Sequence, residues 1–248
     1  MENFLLFYIF HHINILLITL EDTMKIIGMV IATEINSVLK QYRDRITEKK
    51  IRGFNIFDVT LKDKTLYIVQ SGVGEIMAAA ATQLLISHFK AKMIINYGVA
   101  GALTETLSTG NVLIVEKVVH YDMDLSAILN YEVGRYIGYE DVYIPTTMNY
   151  VDIIVKKFDK IQRAICASGD TFISKLEVKK TLQKKYNADI CDMESAAVVL
   201  TCNQNNIPNI IIKCVSDSLS GGTSEFYNCE QKSSDIGMNI VNQIINIL

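Results

Sequence analysis

At five places in the chain, carboxylates, hydroxyls or glycines sit directly behind an apolar run. IIIKCV is followed by SDSLSGG (216–222), RAICA by SGDTFI (168–173), and ADIC by DMESAA (192–197). KMIIN leads into YGVAGAL (97–103), and TLYIVQ into SGVGEIMAAAA (71–81). Each has a plain structural reading. Ser168 and Asp170 can cap a helix and Asp217 can serve a turn. Glu194 can start a helix, where a carboxylate meets the positive end of the dipole. Each also has a chemical reading. Glu194 opens an apolar run between Met193 and small residues, as a polar group held in a pocket for a ligand would. Gly98 and Gly101 would let the backbone approach a ligand closely. SGVGEIM half-matches a dinucleotide-binding turn. Met77 stands where the third glycine belongs, and no acid ends the next strand near Asn96, which disfavours a nicotinamide site.

The elements that must position these groups alternate in type. IIGMVIA (26–32) reads as a strand and EINSVLKQYRDRI (34–46) as a helix. FNIFDVT (54–60) and TLYIVQS (65–71) read as a hairpin. Residues 75–89 are rich in good helix formers, and KMIINYG (92–98) reads as a buried strand. Strands are expected again at 112–122, 161–169, 188–193 and 209–217, with helices near 176–186, 194–206 and 229–246. This βα rhythm predicts one α/β domain, a three-layer α/β/α stack around a mostly parallel mixed sheet. In such folds ligands bind beyond the carboxyl ends of the strands. All five polar stretches fall there, and their convergence on one edge favours the chemical reading.

Composition sets the outer bounds. The 248 residues carry 24 basic and 27 acidic side chains, a net charge of −3, with no basic stripe or acidic tail. Nucleic acid is therefore an unfavoured partner, and a small molecule is not. Cys166, Cys191, Cys202, Cys214 and Cys229 show no metal-ligand spacing, so no metal site is suggested and reduced buried thiols in a cytoplasmic protein are expected. Residues 1–23 are apolar but broken by His11, His12 and Asn14. They lack the basic start and cleavage site of a signal peptide and are marginal as a membrane span. MKIIGMVIA from Met24 reads as a natural first strand. Residues 1–23 are thus set apart as an extension, an over-long start or a surface-packed segment, from a domain spanning 24–248.

The segments IINYGVAGAL, VVHYDMDLSAI, ASGDTFI, ADICDMESAAVV and IIKCVSDS together resemble the purine and uridine phosphorylase superfamily. Within it they most resemble the 5′-methylthioadenosine/S-adenosylhomocysteine nucleosidases, across about residues 24–248. The resemblance implies N-glycosidic hydrolysis of purine nucleosides without a cofactor, by a homodimer. It makes Asp217, paired with Ser216, the acid that protonates the purine at N7, and Glu194 the acceptor of the ribose hydroxyls, with Met193 on the sugar. It places Phe172 on the purine, the Ile173 backbone beside the base, and Val73 along the purine pocket. Phe226 or Tyr227 would cover the 5′ end, and Ile128 would reach a neighbouring subunit's 5′ pocket. The water-activating glutamate is expected at Glu34 in IATEINSV, although the family register could instead place Asn36 there. Phosphorylases of the superfamily carry phosphate-binding arginines after the first strand and before the GxxG loop. None stands here, which favours water as nucleophile. Two departures qualify this: Val99 replaces a small hydroxyl residue, and Lys213 stands where the nucleosidases have arginine, leaving a phosphate role conceivable. A phosphate-dependent purine nucleoside phosphorylase and a nucleoside-binding protein with weak catalysis are the alternatives.

Overall fold

β-Branched runs flanked by glycine and polar turns build a ten-stranded mixed sheet in the computed structural model, which describes residues 26–248. The strands are β1 Ile26–Ile31, β2 Ile46–Ile51, β3 Phe54–Thr60, β4 Thr65–Gln70, β5 Met93–Ala102, β6 Val112–His120, β7 Ile144–Pro145, β8 Gln162–Ser168, β9 Ile190–Asp192 and β10 Asn209–Asp217. The helices are α1 Ile35–Tyr42, α2 Glu75–Ser87, α3 Ser126–Leu129, α4 Met148–Lys157, α5 Leu176–Tyr186, α6 Ser195–Gln204 and α7 Thr223–Ile245. The order across the sheet is β10-β6-β8-β9-β5-β1-β4-β3-β2, and β10 also pairs with β5. That extra pairing closes β5, β9, β8, β6 and β10 into a ring, from which β1, β4, β3 and β2 extend as an open wing. The pairs β1–β4, β1–β5, β5–β10, β6–β8 and β8–β9 are parallel.

Both sheet faces are covered, as the near-continuous apolar strands require. Along β1, Val30 packs with Ala78, Leu85 and Val198 of α2 and α6. Ile27, Met29 and Ile31 face the other way, toward Val38 of α1, Ile154 of α4 and Val241 of α7. This period-two division gives the expected three layers. Three local expectations change. The helix expected over 34–46 stops at Tyr42, where Arg43 takes a left-handed φ of 28° and a short 3-10 turn follows. Ile46–Ile51 then forms an edge strand against β3, its exposed Glu48 and Lys50 marking the charged solvent edge. The last helix begins at Thr223 rather than at 229. Residues 1–25 lie outside the described residues, and with them the expected extension over 1–23. Among the described residues no helix is long and apolar enough to cross a membrane.

Candidate active site

Strand register brings the site together at Gly101. On β5 this glycine is paired with Cys191 of β9 on one side and with Asp217 of β10 on the other. A β-carbon on Gly101 would lie 3.0 Å from Asp217 Oδ2 and 3.3 Å from Cys191 Sγ. On Gly98, three residues earlier on β5, it would lie 3.0 Å from Glu34 Oε1. The glycines of YGVAGAL therefore make room for two carboxylates, and Gly101 also lines the cavity they face. Asp217 is buried, and its Oδ1 accepts the Ser216 hydroxyl at 2.9 Å. Its Oδ2 accepts from the ammonium of Lys179, 2.5 Å away, which reaches in from α5 fully buried.

Glu34 precedes α1, and its carboxylate turns back into the sheet edge. Oε2 accepts the N–H groups of Ala32 at 3.0 Å and Thr33 at 2.9 Å, and Oε1 accepts that of Val99 at 3.1 Å. Asn36 is exposed and its amide donates to Gln231 Oε1 at 3.4 Å. Glu194 stands at the N-terminus of α6 and also lines the cavity, so both of its sequence readings describe its position. Its side chain makes no cap bond within its own helix but accepts the Gly74 N–H at 3.0 Å. Burial pushes its pKa up to about 7 against the opposing charge of Lys213.

Behind these groups lies a buried polar cluster. Asp192 Oδ2 is 2.6 Å from the Lys213 ammonium and 2.5 Å from the Ser195 hydroxyl that it accepts. Burial works to raise the Asp192 pKa, and the Lys213 charge and the hydrogen bonds reverse this to leave it lowered. Burial likewise works against the Lys213 charge, and Asp192 and Glu194 reverse that, leaving the Lys213 pKa raised. Glu75, in the first turn of α2, accepts the Ser168 hydroxyl and the Ala197 N–H, each at 2.5 Å. Burial, reinforced by Asp192, pushes Glu75 up to about 8. Asp170 accepts the Glu75 N–H at 2.8 Å and Ser168 Oγ accepts the Ala196 N–H at 3.1 Å, so both residues of SGD secure helix starts.

The cavity in front of these groups has a volume of about 450 Å³. Phe172, 42% exposed, stands at its mouth and meets Phe226 edge-to-face at 5.1 Å. Tyr227 continues the aromatic row at 5.7 Å from Phe226.

The model of the phosphorylase superfamily matches residues 26–246. The chain belongs to that superfamily. The 5′-methylthioadenosine/S-adenosylhomocysteine nucleosidase of Staphylococcus aureus (strain JH9) is 33% identical over 205 residues, 79% of this chain and 87% of that protein. An S-adenosylhomocysteine nucleosidase from Streptococcus pyogenes, solved with 5-methylthiotubericidin, superposes with a TM-score of 0.82 at 25% identity. It covers 90% of this chain and 97% of its own. The Helicobacter pylori methylthioadenosine/S-adenosylhomocysteine nucleosidase shares the fold at a TM-score of 0.85 and 23% identity, covering 91% of this chain and 99% of its own.

Against this superfamily background, most residues singled out in the sequence sit together. Glu34, Val73, Phe172, Met193, Glu194, Ser216, Asp217 and Phe226 all line the cavity. Ile173 lines a small recess that adjoins it beside Cys191 and Asp217. Lys213 is not among the cavity residues and lies behind Asp192, its ammonium 2.6 Å from Asp192 Oδ2. Ile128, on α3, is 76% exposed and is not among the cavity residues. Thr33, Val99, Ala100, Cys191, Asp192 and Glu230 line the cavity without having been singled out for it. Lys179 was also missed, because nothing in KLEVKKTLQKK separates it from its solvated neighbours. Asp192 stands two residues before Glu194, and its place directly after the apolar ADIC was the signal available. Among the described residues, no group of three or more His, Cys, Asp or Glu is arranged to hold a metal ion.

Proposed function

We propose that this chain hydrolyses the N-glycosidic bond of 5′-methylthioadenosine and S-adenosylhomocysteine, releasing adenine and the thioribose product. The observation that carries this reading is the charge of the cavity. Among the described residues its lining includes Glu34, Asp192, Glu194, Asp217 and Glu230 and neither lysine nor arginine. Such walls suit sugar hydroxyls and a sugar that turns positive, and repel a phosphate dianion. This weighs against the phosphate-dependent alternative. The kinship with nucleosidases of methylthioadenosine and S-adenosylhomocysteine supports the choice of substrate.

In this reading the adenine lies against Phe172, with Val73 and the Ile173 backbone at its edges. Asp217, oriented by Ser216, gives a proton to N7, so the C1′–N9 electron pair leaves on a neutral base. Glu194 accepts the ribose hydroxyls and favours the cationic sugar of an oxocarbenium-like transition state, with Met193 packed beside it. Glu34 takes the proton of the attacking water as its oxygen bonds to C1′. Its three N–H contacts fix the carboxylate at that end of the cavity. Phe226 covers the 5′ substituent, with Tyr227 beside it. Lys213 contributes from behind, by holding Asp192. A homodimer in which Ile128 completes the partner's 5′ pocket fits the exposure of Ile128 away from its own cavity. Sedimentation of the wild type and of Ile128→Asp tests that arrangement, since a monomeric wild type would remove it.

The decisive assay is chromatography of the bases released from methylthioadenosine, S-adenosylhomocysteine, adenosine and inosine, with and without phosphate. Adenine and methylthioribose formed without phosphate are expected. A sugar 1-phosphate formed only with phosphate would make the protein a phosphorylase. Tight binding of methylthioadenosine without release would make it a binding protein.

A further inference from the structure

Lys179 is fully buried, and its ammonium has two acceptors: Asp217 Oδ2 at 2.5 Å and the Ser218 carbonyl at 2.7 Å. With Ser216 on Oδ1, both oxygens of Asp217 are already engaged by donors. A carboxyl meant to give a proton to a purine is thus placed where it accepts from an ammonium. The conflict disappears if the two groups act as one acid. Inside a dry pair, ammonium–carboxylate and amine–carboxylic acid carry the same net charge, and a 2.5 Å contact is short enough for the proton to cross.

We propose that the proton Asp217 gives to the leaving purine is drawn from Lys179, so the acid of this site is the Lys179–Asp217 pair. This rests on the reading of Asp217 as the purine's proton donor. As the C1′–N9 bond breaks, its electron pair goes to the purine. N7 takes a proton from Asp217, and Asp217 takes one from Lys179. Neutral purine, aspartate and neutral lysine amine result. The water that adds to C1′ gives its proton to Glu34, and that proton and the one that recharges Lys179 are exchanged with solvent as products leave. The other titratable groups that face the pair do not replace this supply. Cys191 on β9 is buried, and burial pushes its thiol up to about 12. Asp192 beside it is held as a carboxylate by Lys213. Glu225 of α7 accepts the N–H and hydroxyl of Ser218.

A shared acid keeps its transferable proton to higher pH than a lone carboxyl, so the test is the pH profile of kcat/KM for adenine release. In Lys179→Met the alkaline limb is expected to fall by more than about one unit, with activity recovered toward acid pH. Lys179→Arg keeps the charge but does not release a proton in proteins, and is expected to be about 100-fold slower throughout. An unmoved alkaline limb in Lys179→Met, or wild-type rates in Lys179→Arg, would overturn the proposal and leave Lys179 as a strut for Asp217. Should Lys179→Met show no cooperative melting, Lys179→Gln, which keeps a neutral donor toward Asp217 and Ser218, gives the same readout. A wild-type rate in Asp217→Asn would overturn the reading of Asp217 itself. A dead Asp217→Asn beside an unshifted Lys179→Met would overturn only the present inference.

Discussion

Two buried lysine–aspartate pairs stand beside the same cavity, Lys213–Asp192 at 2.6 Å and Lys179–Asp217 at 2.5 Å. Both aspartates line the cavity. They differ in what else holds them. Asp192 also accepts from the Ser195 hydroxyl and N–H and the Cys166 thiol, so most of its lone-pair sites are filled. Among the described residues Asp217 accepts from Ser216 and Lys179 alone, and it faces the space cleared by Gly101. Burial and a cation are thus common to both, and the number of remaining donors separates them. Asp192 is fixed as an anion that braces the sheet, whereas Asp217 keeps acceptor capacity toward a ligand.

The largest test of that contrast is on the reacting side. Asp217→Asn is expected to slow adenine release by about 10²–10⁴-fold, and Glu34→Gln by a similar factor. Asn36→Ala, at an exposed amide, should leave kcat within about twofold, because polar surface changes away from a site are mild. Steady-state assays on variants checked for cooperative melting decide this, and a reversed ranking of Glu34 and Asn36 would remove Glu34 as the base, since an amide at Asn36 cannot take the proton of water. On the bracing side, Lys213→Met leaves Asp192 buried without its cation. A loss of about 3–5 kcal/mol in urea unfolding is expected. An unchanged midpoint would mean that Asp192 is no more a brace than Asp217.

What the sequence made legible follows the same division. β1, the β3–β4 hairpin, β5 and β10 announce themselves as apolar runs, and the residue that ends each run is local information. Glu194, Met193, Phe172 and Asp217 could be placed at one sheet edge for that reason. Pairings across the fold are not local. Lys179 and Asp217 lie 38 residues apart, and Glu75 and Ala197 are 122 apart. No pattern within either segment names its partner. β2 was hidden for a different reason. ITEKKI is an edge strand whose charges protect it from further pairing, and those charges mask its strand character. The glycines of YGVAGAL were legible as points of close approach, but what approaches them is set by side chains from α1's N-terminus and β10.

Glu194 sharpens the comparison further, because it shares Lys213 with Asp192 and still responds to pH. Its ionised form is the one that accepts the ribose hydroxyls. With its pKa pushed up to about 7 by burial, kcat/KM should climb as pH rises through that value. Glu194→Gln should lower kcat/KM by about 10–100-fold, the worth of a hydrogen bond to a charged group, and flatten that limb. A limb that survives in the variant would belong to another group.

The smallest effect concerns stability. Glu75 and Asp192 sit in one buried cluster and shift in opposite directions. The Glu75 pKa is raised from 4.5 to about 8, so the folded protein keeps a proton that the unfolded chain releases. Its contribution to stability is complete below about pH 4.5 and is lost as pH rises toward 8. Glu194 adds the same sign up to about pH 7. Asp192, lowered, contributes above its unfolded value of 3.8 and loses that contribution only as pH falls below it. Between pH 5 and 8 the raised pair therefore governs, and the melting temperature should fall by several degrees. Glu75→Gln, which retains an acceptor for one of the two N–H and O–H donors, should make that fall shallower from pH 5 upward and flatten it between pH 7 and 8, leaving the share of Glu194 below about pH 7. If the variant melts with an unchanged slope, Glu75 is ionised throughout, and the cluster holds its carboxylates through Lys213 alone.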